Sequence, residues 1–180
     1  MSSYVTQNDL LLRNLMDFYK NNDKLNMMLR VINGESRISL RIVDWFVTNY
    51  AKEQFIVYNL PNDNRIKVYD SYKLNLRAYS KRRFDPFCRW DRITIPYTKD
   101  THIQTTIGQL NFFKWAIDNN IINYIEENYD EIEKDMNSRN STSRKKNSEP
   151  KKNRKKREEL SISAVKSIKK ETVDIIVRFD

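Results

Sequence analysis

A long polar segment near the C-terminus limits how much of this chain can fold. Residues 138–158 consist mainly of Ser, Asn, Lys and Arg and contain no Leu, Ile, Val, Met or aromatic residue. Such a segment cannot bury enough apolar surface to offset the entropy lost on ordering, so we predict a disordered basic arm there. The prediction leaves a folded domain at 1–137 and a C-terminal strand or hairpin at 159–180 that docks on this domain.

The arm also carries the net charge. The protein has 33 basic and 24 acidic residues, which gives a net charge of +9. Residues 139–157 hold ten basic residues against Glu149, so the rest of the chain is neutral overall. That remainder has a basic middle at 65–92 and an acidic run at 126–135. We expect a dipolar domain in which an acidic helix lies over the basic middle and neutralises it or competes with an anionic ligand.

The composition excludes several kinds of site. Two glycines are too few for a glycine-rich phosphate loop, and one cysteine with one histidine cannot build a zinc site or a disulfide. No apolar run approaches the length of a membrane span, and the N-terminus lacks the pattern of a signal peptide. We therefore expect a reduced intracellular protein with no cofactor, no metal ion and no membrane partner.

The N-terminal part has the pattern of short helices. Apolar residues recur at helical spacing over 8–32, with a break near Asn21-Asn22. Asn8 or Asp9 is expected to cap the first helix, and Ser36 is expected to cap a third.

The middle of the chain has the pattern of strands. Residues 55–60 form a strand-sized run rich in β-branched and aromatic residues, and 61–64 form a turn. Residues 65–79 alternate apolar and polar side chains, which predicts the second strand of a hairpin. Residues 92–97 predict a further short strand, ended by Pro96.

Helical spacing resumes at Thr105 or Thr106 and predicts a helix or helix pair with a break at Asn119-Asn120. The tail at 171–180 alternates strictly, so we expect a terminal strand that returns to the sheet or pairs with a partner. The predicted fold is α+β, with short N-terminal helices, a small antiparallel sheet and a C-terminal helix or helix pair.

Residues 79–90 combine cations with aromatic rings, and two interpretations are open. In the first, the arginines contact phosphates and the rings stack on bases, as in single-strand binders. In the second, Asp85-Pro86 makes a tight turn, the rings fill the core and the arginines are solvated or paired. The candidate contact residues are Lys81, Arg82, Arg83, Arg89, Phe87 and Trp90.

Catalytic alternatives find less support. Neighbouring arginines could activate Cys88 as a nucleophile, with His102 as its base, but no family signature surrounds either residue. A packed cysteine and a histidine in a loop are the simpler interpretations. The carboxylates Asp63, Asp70, Asp85 and Asp91 show no spacing typical of a metal site, so we predict no catalytic and no metal residues.

The basic arm is the strongest functional signal. Two clusters of cations flank a short spacer, which suits a bipartite nuclear-import signal or a flexible arm that binds nucleic acid. A solvated linker is the alternative, but like charges at this density gain from an anionic partner through counterion release. Its candidate contacts are Arg144, Lys145, Lys146, Lys151, Lys152, Arg154, Lys155, Lys156 and Arg157.

Three further stretches carry a resemblance. They are SRISLRIVDWFVTNYAKE (36–53), VYDSYKLNLRAYSKRRFDPFCRWDRI (68–93) and TTIGQLNFFKWAIDNNIINYIEENYDEIEKDMN (105–137). Together they resemble an uncharacterised protein family encoded by nucleocytoplasmic large DNA viruses, mimivirus-like viruses and their relatives. The resemblance assigns no site residue. It implies a viral origin, with the cytoplasmic viral factory or the virion as the setting.

We therefore predict a non-enzymatic viral protein that binds nucleic acid, with DNA favoured over RNA, in packaging or as an accessory to transcription or replication. The basic run also permits entry to the host nucleus. The alternative is a virion structural or assembly protein that binds other viral proteins through its C-terminal strand.

Overall fold

The structure is a computed structural model that describes residues 6–90, 92–98, 101–146 and 169–172. The helices are α1 (Gln7–Tyr19), α2 (Asn22–Ile32), α3 (Leu40–Trp45), α4 (Ala51–Glu53), α5 (Val68–Phe84), α6 (Ile107–Asp118), α7 (Ile121–Glu127) and α8 (Tyr129–Lys146). A π-helical turn, Phe46–Tyr50, joins α3 to α4. The strands are β1 (Val57–Asn59), β2 (Arg65–Lys67), β3 (Arg92–Thr98), β4 (Thr101–Thr106) and β5 (Lys169–Thr172). The predicted α+β class is confirmed.

The N-terminal helices form where expected but begin at other residues. Thr6 caps α1, because its hydroxyl accepts from the Asp9 amide and the Asp9 carboxylate accepts from the Thr6 amide. The proposed caps Asn8 and Asp9 therefore lie inside the helix. Ser39 caps α3 in place of Ser36, whose hydroxyl accepts from the Ile38 amide instead.

The break between α1 and α2 is confirmed. Asn21 is in an extended conformation, and its side-chain oxygen accepts from the amide of Asp23 at 2.9 Å, which starts a new helix. Gly34 follows α2 with φ 74°, the left-handed conformation that glycine adopts at helix ends.

The strand predicted over 65–79 is wrong beyond Lys67. Only Arg65–Lys67 pairs with β1, and the chain turns helical at Val68. Val68, Tyr72 and Leu76 are spaced by four residues, so a helix brings them to one face, where the first two are buried. A short run of alternating apolar and polar residues fits the period of a strand and also that of a helix. Packing of this segment against α6 selects the helix.

The second sheet contains a strand that the sequence pattern did not indicate. Strands β3, β4 and β5 are antiparallel in that order, with β4 central. His102 lies in β4 opposite Pro96, so its placement in a loop is wrong. The sequence of β4 shows little alternation of apolar and polar residues, because Ile103 is its one aliphatic residue. Pro96 does not end β3, which continues to Thr98 after a register shift.

The helix after the sheet begins at Ile107, with Thr106 as its cap. The break at Asn119-Asn120 is confirmed, since Asn120 has φ 54° and separates α6 from α7. A second break at Asn128, between α7 and α8, was not expected.

Strand β5, Lys169–Thr172, pairs with β4. It overlaps the predicted strand at 171–180 only in the first two residues, and 159–168 and 173–180 lie outside the described residues, so the docking of the C-terminal tail stays a prediction. Helix α8 continues beyond residue 138, where we expected disorder to start, and ends at Lys146. Residues 147–158 also lie outside the described part of the chain, so the disorder of the arm stays a prediction.

The core joins the helices around an aromatic cluster. Phe84 and Phe112 are fully buried, and the Tyr72 ring lies 5.9 Å from the Phe84 ring and 6.0 Å from the Trp115 ring. The Tyr19 hydroxyl donates to the Leu110 carbonyl at 2.7 Å, which ties α1 to α6. Among the described helices, none is long and apolar enough to cross a membrane.

Candidate nucleic-acid interface

The basic corner, residues 80–90, begins where α5 breaks. Ser80 has φ 66° and ψ 165°, which turns the chain before one more helical turn ends at Phe84. The Asp85 carboxylate then accepts from the Phe87 amide at 2.8 Å, and the Asp85 carbonyl accepts from the Cys88 amide at 3.1 Å. These bonds close the tight turn that Asp85-Pro86 predicted.

The N-terminal part of α6 holds the inner side of the corner. The Asn111 side chain donates to the Arg83 carbonyl at 2.9 Å. Gly108 packs directly against the backbone of the corner, and Phe84 enters the aromatic core. These contacts with α6 hold the backbone of residues 82–85 in place, so the corner is a firm platform.

The outer side presents cations beside an exposed indole. Trp90 is 70% exposed, and the Arg82 guanidinium lies 5.8 Å from its ring. Lys81 and Arg89 are exposed on the same open groove, which Phe87 lines from a half-buried position.

The structure places the aromatic residues of this stretch in different surroundings. Phe84 fills the core, whereas Trp90 points outward. Arg83 is half-buried and its carbonyl is bound by Asn111. The candidate residues that the structure gathers on the groove are Lys81, Arg82, Arg89, Phe87 and Trp90.

Two neighbouring carboxylates, Asp85 in the corner and Asp44 on α3, add negative charge to this region. Burial and, to a smaller extent, the nearby Asp85 charge raise the pKa of Asp44, on α3, to about 6. Burial together with both carboxylates raises the pKa of Tyr72 to about 12. Negative charge at Asp44 and Asp85 offsets part of the positive charge of the corner.

The structure separates the residues of the catalytic alternative. Cys88 lines the groove in a half-buried position. His102 is paired with Pro96, about 13 Å along β4 from the Thr106–Arg92 pair that adjoins the corner. Within the described residues, no group of three or more His, Cys, Asp or Glu side chains is placed to hold a metal ion. Asp91 lies outside the described residues.

The acidic helix does not meet the corner in the contacts that the structure shows. Asp130 bonds to Arg37, and Asp135 accepts from the Trp45 indole at 2.9 Å. Arg139 lies 3.9 Å from Glu53. Helix α8 thus runs alongside α3 and α4 in the same direction, which corrects our expectation that its charges cover the basic middle.

Helix α8 extends past its contact with α4 at Arg139. Lys146, the last residue of α8, is about two turns beyond Arg139. Arg144, Lys145 and Lys146 belong to the final turns of this helix. The remaining candidates of the arm, Lys151, Lys152, Arg154, Lys155, Lys156 and Arg157, lie outside the described residues.

The sequence pattern missed one exposed ring. Phe55 is 84% exposed and has φ 49°. We expected it to start a strand, but the chain is still leaving α4 there, and β1 begins at Val57. No local sequence signal distinguishes a ring at the end of a helix from one in a β-rich run.

Comparison with known proteins identifies a family and a viral relative. A family model described as a family of unknown function, DUF7197, matches residues 4–180. The chain is 45% identical over 134 residues to the uncharacterized protein L507 of Acanthamoeba polyphaga mimivirus, a match that covers 70% of this chain and 50% of that protein. The chain thus spans about half the length of this relative. No solved structure was found to match. The resemblance to a family of large DNA viruses is confirmed.

Proposed function

The chain belongs to the DUF7197 family, and we propose that it is a non-enzymatic protein that binds nucleic acid, DNA rather than RNA, during packaging, transcription or replication. The observation that carries this proposal is the exposed Trp90 ring beside Lys81, Arg82 and Arg89 on a rigid corner. Exposed aromatic rings beside cations are the surface on which proteins bind single strands.

The arm supplies a second contribution in this proposal. Its cations contact phosphates and release counterions, which gives affinity without reading the base sequence. The corner then determines the preference for single strands. The proposed setting is the cytoplasmic viral factory or the virion, with the host nucleus reached through the bipartite basic run.

The test titrates the intact protein with labelled single- and double-stranded oligonucleotides at several salt concentrations. If the arm neutralises about 5 to 8 phosphates of a duplex, the slope of log affinity against log salt should be about −4 to −7. Replacing the basic residues of 151–157 by Ser should flatten this slope. The substitution keeps the chain length and leaves α8 intact.

Trp90→Ala tests the corner in the same assay. It should weaken binding of single strands by about 1 to 3 kcal/mol and change duplex binding little, because only unpaired bases can stack on the ring. Arg13→Ala, an exposed cation on α1, is the matched surface control. Absence of binding by the intact protein at low salt would refute the proposal.

A role in virion assembly is the second candidate, and one observation favours it. Strand β5 forms one edge of the sheet within the described residues, and an edge strand can pair with another chain. Copurification of virion proteins that is lost when Lys170 and Thr172 are replaced by Pro, without any oligonucleotide binding, would favour this function.

A further inference from the structure

Phe55 occupies a position that normally belongs to glycine. Helix α4 ends in a motif in which the Ile56 amide bonds to the Ala51 carbonyl at 3.1 Å and the Gln54 amide bonds to the Tyr50 carbonyl at 2.9 Å. The residue between, Phe55, takes the left-handed conformation with φ 49°. Glycine is the usual residue there because a Cβ atom makes this conformation unfavourable.

Burial of the Phe55 ring does not offset the cost of this backbone conformation. Phe55 is 84% exposed, the largest exposed fraction among the large apolar side chains that the structure describes. A backbone cost without a packing gain is typical of a residue that serves binding.

The surroundings of Phe55 are cationic. Lys52 and Lys73 lie over the Tyr69 ring, with their ammonium groups 5.8 and 6.0 Å from its centre. Phe55 shares a groove with Lys52, Lys67 and Tyr69. Asp70 is the acidic residue of that groove, so its lining carries net positive charge.

Cations continue along α5 toward the basic corner. Lys73 and Arg77 are exposed and lie one turn apart on the same face of the helix. The helix covers about 16 Å between Tyr69 and the break at Ser80. Beyond that break lie Lys81 and Trp90. Along the chain, exposed cations on α5 therefore lie between Phe55 and the corner that carries Trp90.

We propose that Phe55 is a second stacking platform for single-stranded nucleic acid, and that the strand follows α5 from Trp90 to Phe55. This inference rests on the proposed function and specifies its ligand as an unpaired strand. One base stacks on each ring, and Lys73 and Arg77 contact the phosphates between them. A duplex cannot use both rings, because its bases are stacked inside.

A protein segment with apolar anchors and acidic flanks is the rival occupant. Leu74, which is 65% exposed, adjoins the same surface and would bind such a segment as well as Phe55 does. Two features favour the nucleic acid. The exposed ring offers a π face that every base can use, and Lys73 and Arg77 present exposed cations along α5.

The experiment measures the affinity of the full-length protein for oligothymidylates of about 4 to about 16 nucleotides, the range of site sizes known for single-strand binders. Wild-type affinity should rise once the oligonucleotide can reach both rings. Phe55→Gly should leave the shortest oligonucleotides unaffected and weaken the longest by roughly 5- to 150-fold, the equivalent of one stacked base. Its melting temperature should equal or exceed that of the wild type, which excludes misfolding as the cause.

Two variants serve as controls. Phe55→Leu keeps an apolar side chain without a π face and should lose the same affinity as Phe55→Gly. Leu74→Ala removes an equally apolar neighbour and should change the affinity less than twofold.

The outcomes separate the two proposals. If the wild type binds no oligonucleotide, the proposed function fails and this inference fails with it. If the wild type binds but the Phe55 variants match it at every length, only the second platform is refuted, and the protein segment becomes the better occupant. Retained affinity in Phe55→Leu, or an equal loss in Leu74→Ala, would refute base stacking at this position.

Discussion

Gly108 lies so close to Asp85 that a Cβ atom on the glycine would stand 2.7 Å from the Asp85 carbonyl oxygen. Real Cβ atoms essentially never approach that near, and the oxygen belongs to the backbone of the corner, which Asn111 also holds. The absence of a side chain at this position of α6 therefore allows the helix and the basic corner to pack together.

Gly108→Ala should destabilise the protein by about 1 to 3 kcal/mol, because either α6 or the corner must move to relieve the contact. Chemical denaturation measures the change. Gly34→Asn is the matched control, since Asn tolerates the left-handed conformation and the space around Gly34 is open. An unchanged midpoint for Gly108→Ala would show that the corner yields easily and is not a firm platform.

The buried carboxyl of Asp44 should make stability depend on pH. Its pKa rises from 3.8 to about 6 in the folded protein, so the folded state binds the proton more tightly than the unfolded state. Stability should therefore fall as pH rises from about 4 to about 6, by on the order of 2 to 3 kcal/mol.

Asp44→Asn should remove this dependence and raise stability at neutral pH, because the neutral amide avoids the cost of a buried charge. Denaturation midpoints of both proteins across this pH range give the comparison. The raised pKa of Asp44 would be contradicted if the stability of the wild type increased with pH and Asp44→Asn left that dependence unchanged.

Trp115 and Trp90 should respond differently to truncation. Trp115 is buried and its indole donates to the Ser71 hydroxyl at 3.0 Å, so Trp115→Ala should cost about 3 to 5 kcal/mol. Trp90 is exposed, so Trp90→Ala should change stability by less than about 0.5 kcal/mol. Thermal unfolding of the pair is the measurement. A large loss for Trp90→Ala would place its ring in the core.

Limited trypsin digestion should distinguish the two parts of the basic segment. Arg139 lies in α8 and is held by Asp135 at 3.1 Å, so cleavage there should be slow. The composition of 147–157 predicts disorder, and cleavage should be fastest at its lysines and arginines. Mass spectrometry of the first fragments identifies the sites. Early cleavage at Arg139 would indicate that the end of α8 frays.

Sequence pattern alone determined the features that depend on local chemistry. The helix breaks at Asn21-Asn22 and Asn119-Asn120 were predictable because asparagine side chains cap helices or tolerate left-handed backbone, whatever packs nearby. The α+β class followed from the periods of long segments. The position of the net charge followed from composition.

Tertiary structure decided the features that depend on a distant partner. The sequence of residues 68–79 is compatible with a strand or a helix. The helix forms because its packing against α6 accompanies the burial of Val68 and Tyr72. Strand β4 has little apolar pattern and forms because β3 pairs with it. Between Phe84 and Trp90, local sequence cannot say which ring enters the core, because burial depends on whether another element covers the ring. The same holds for Phe55, whose exposure follows from the way α4 ends and not from the residues around it.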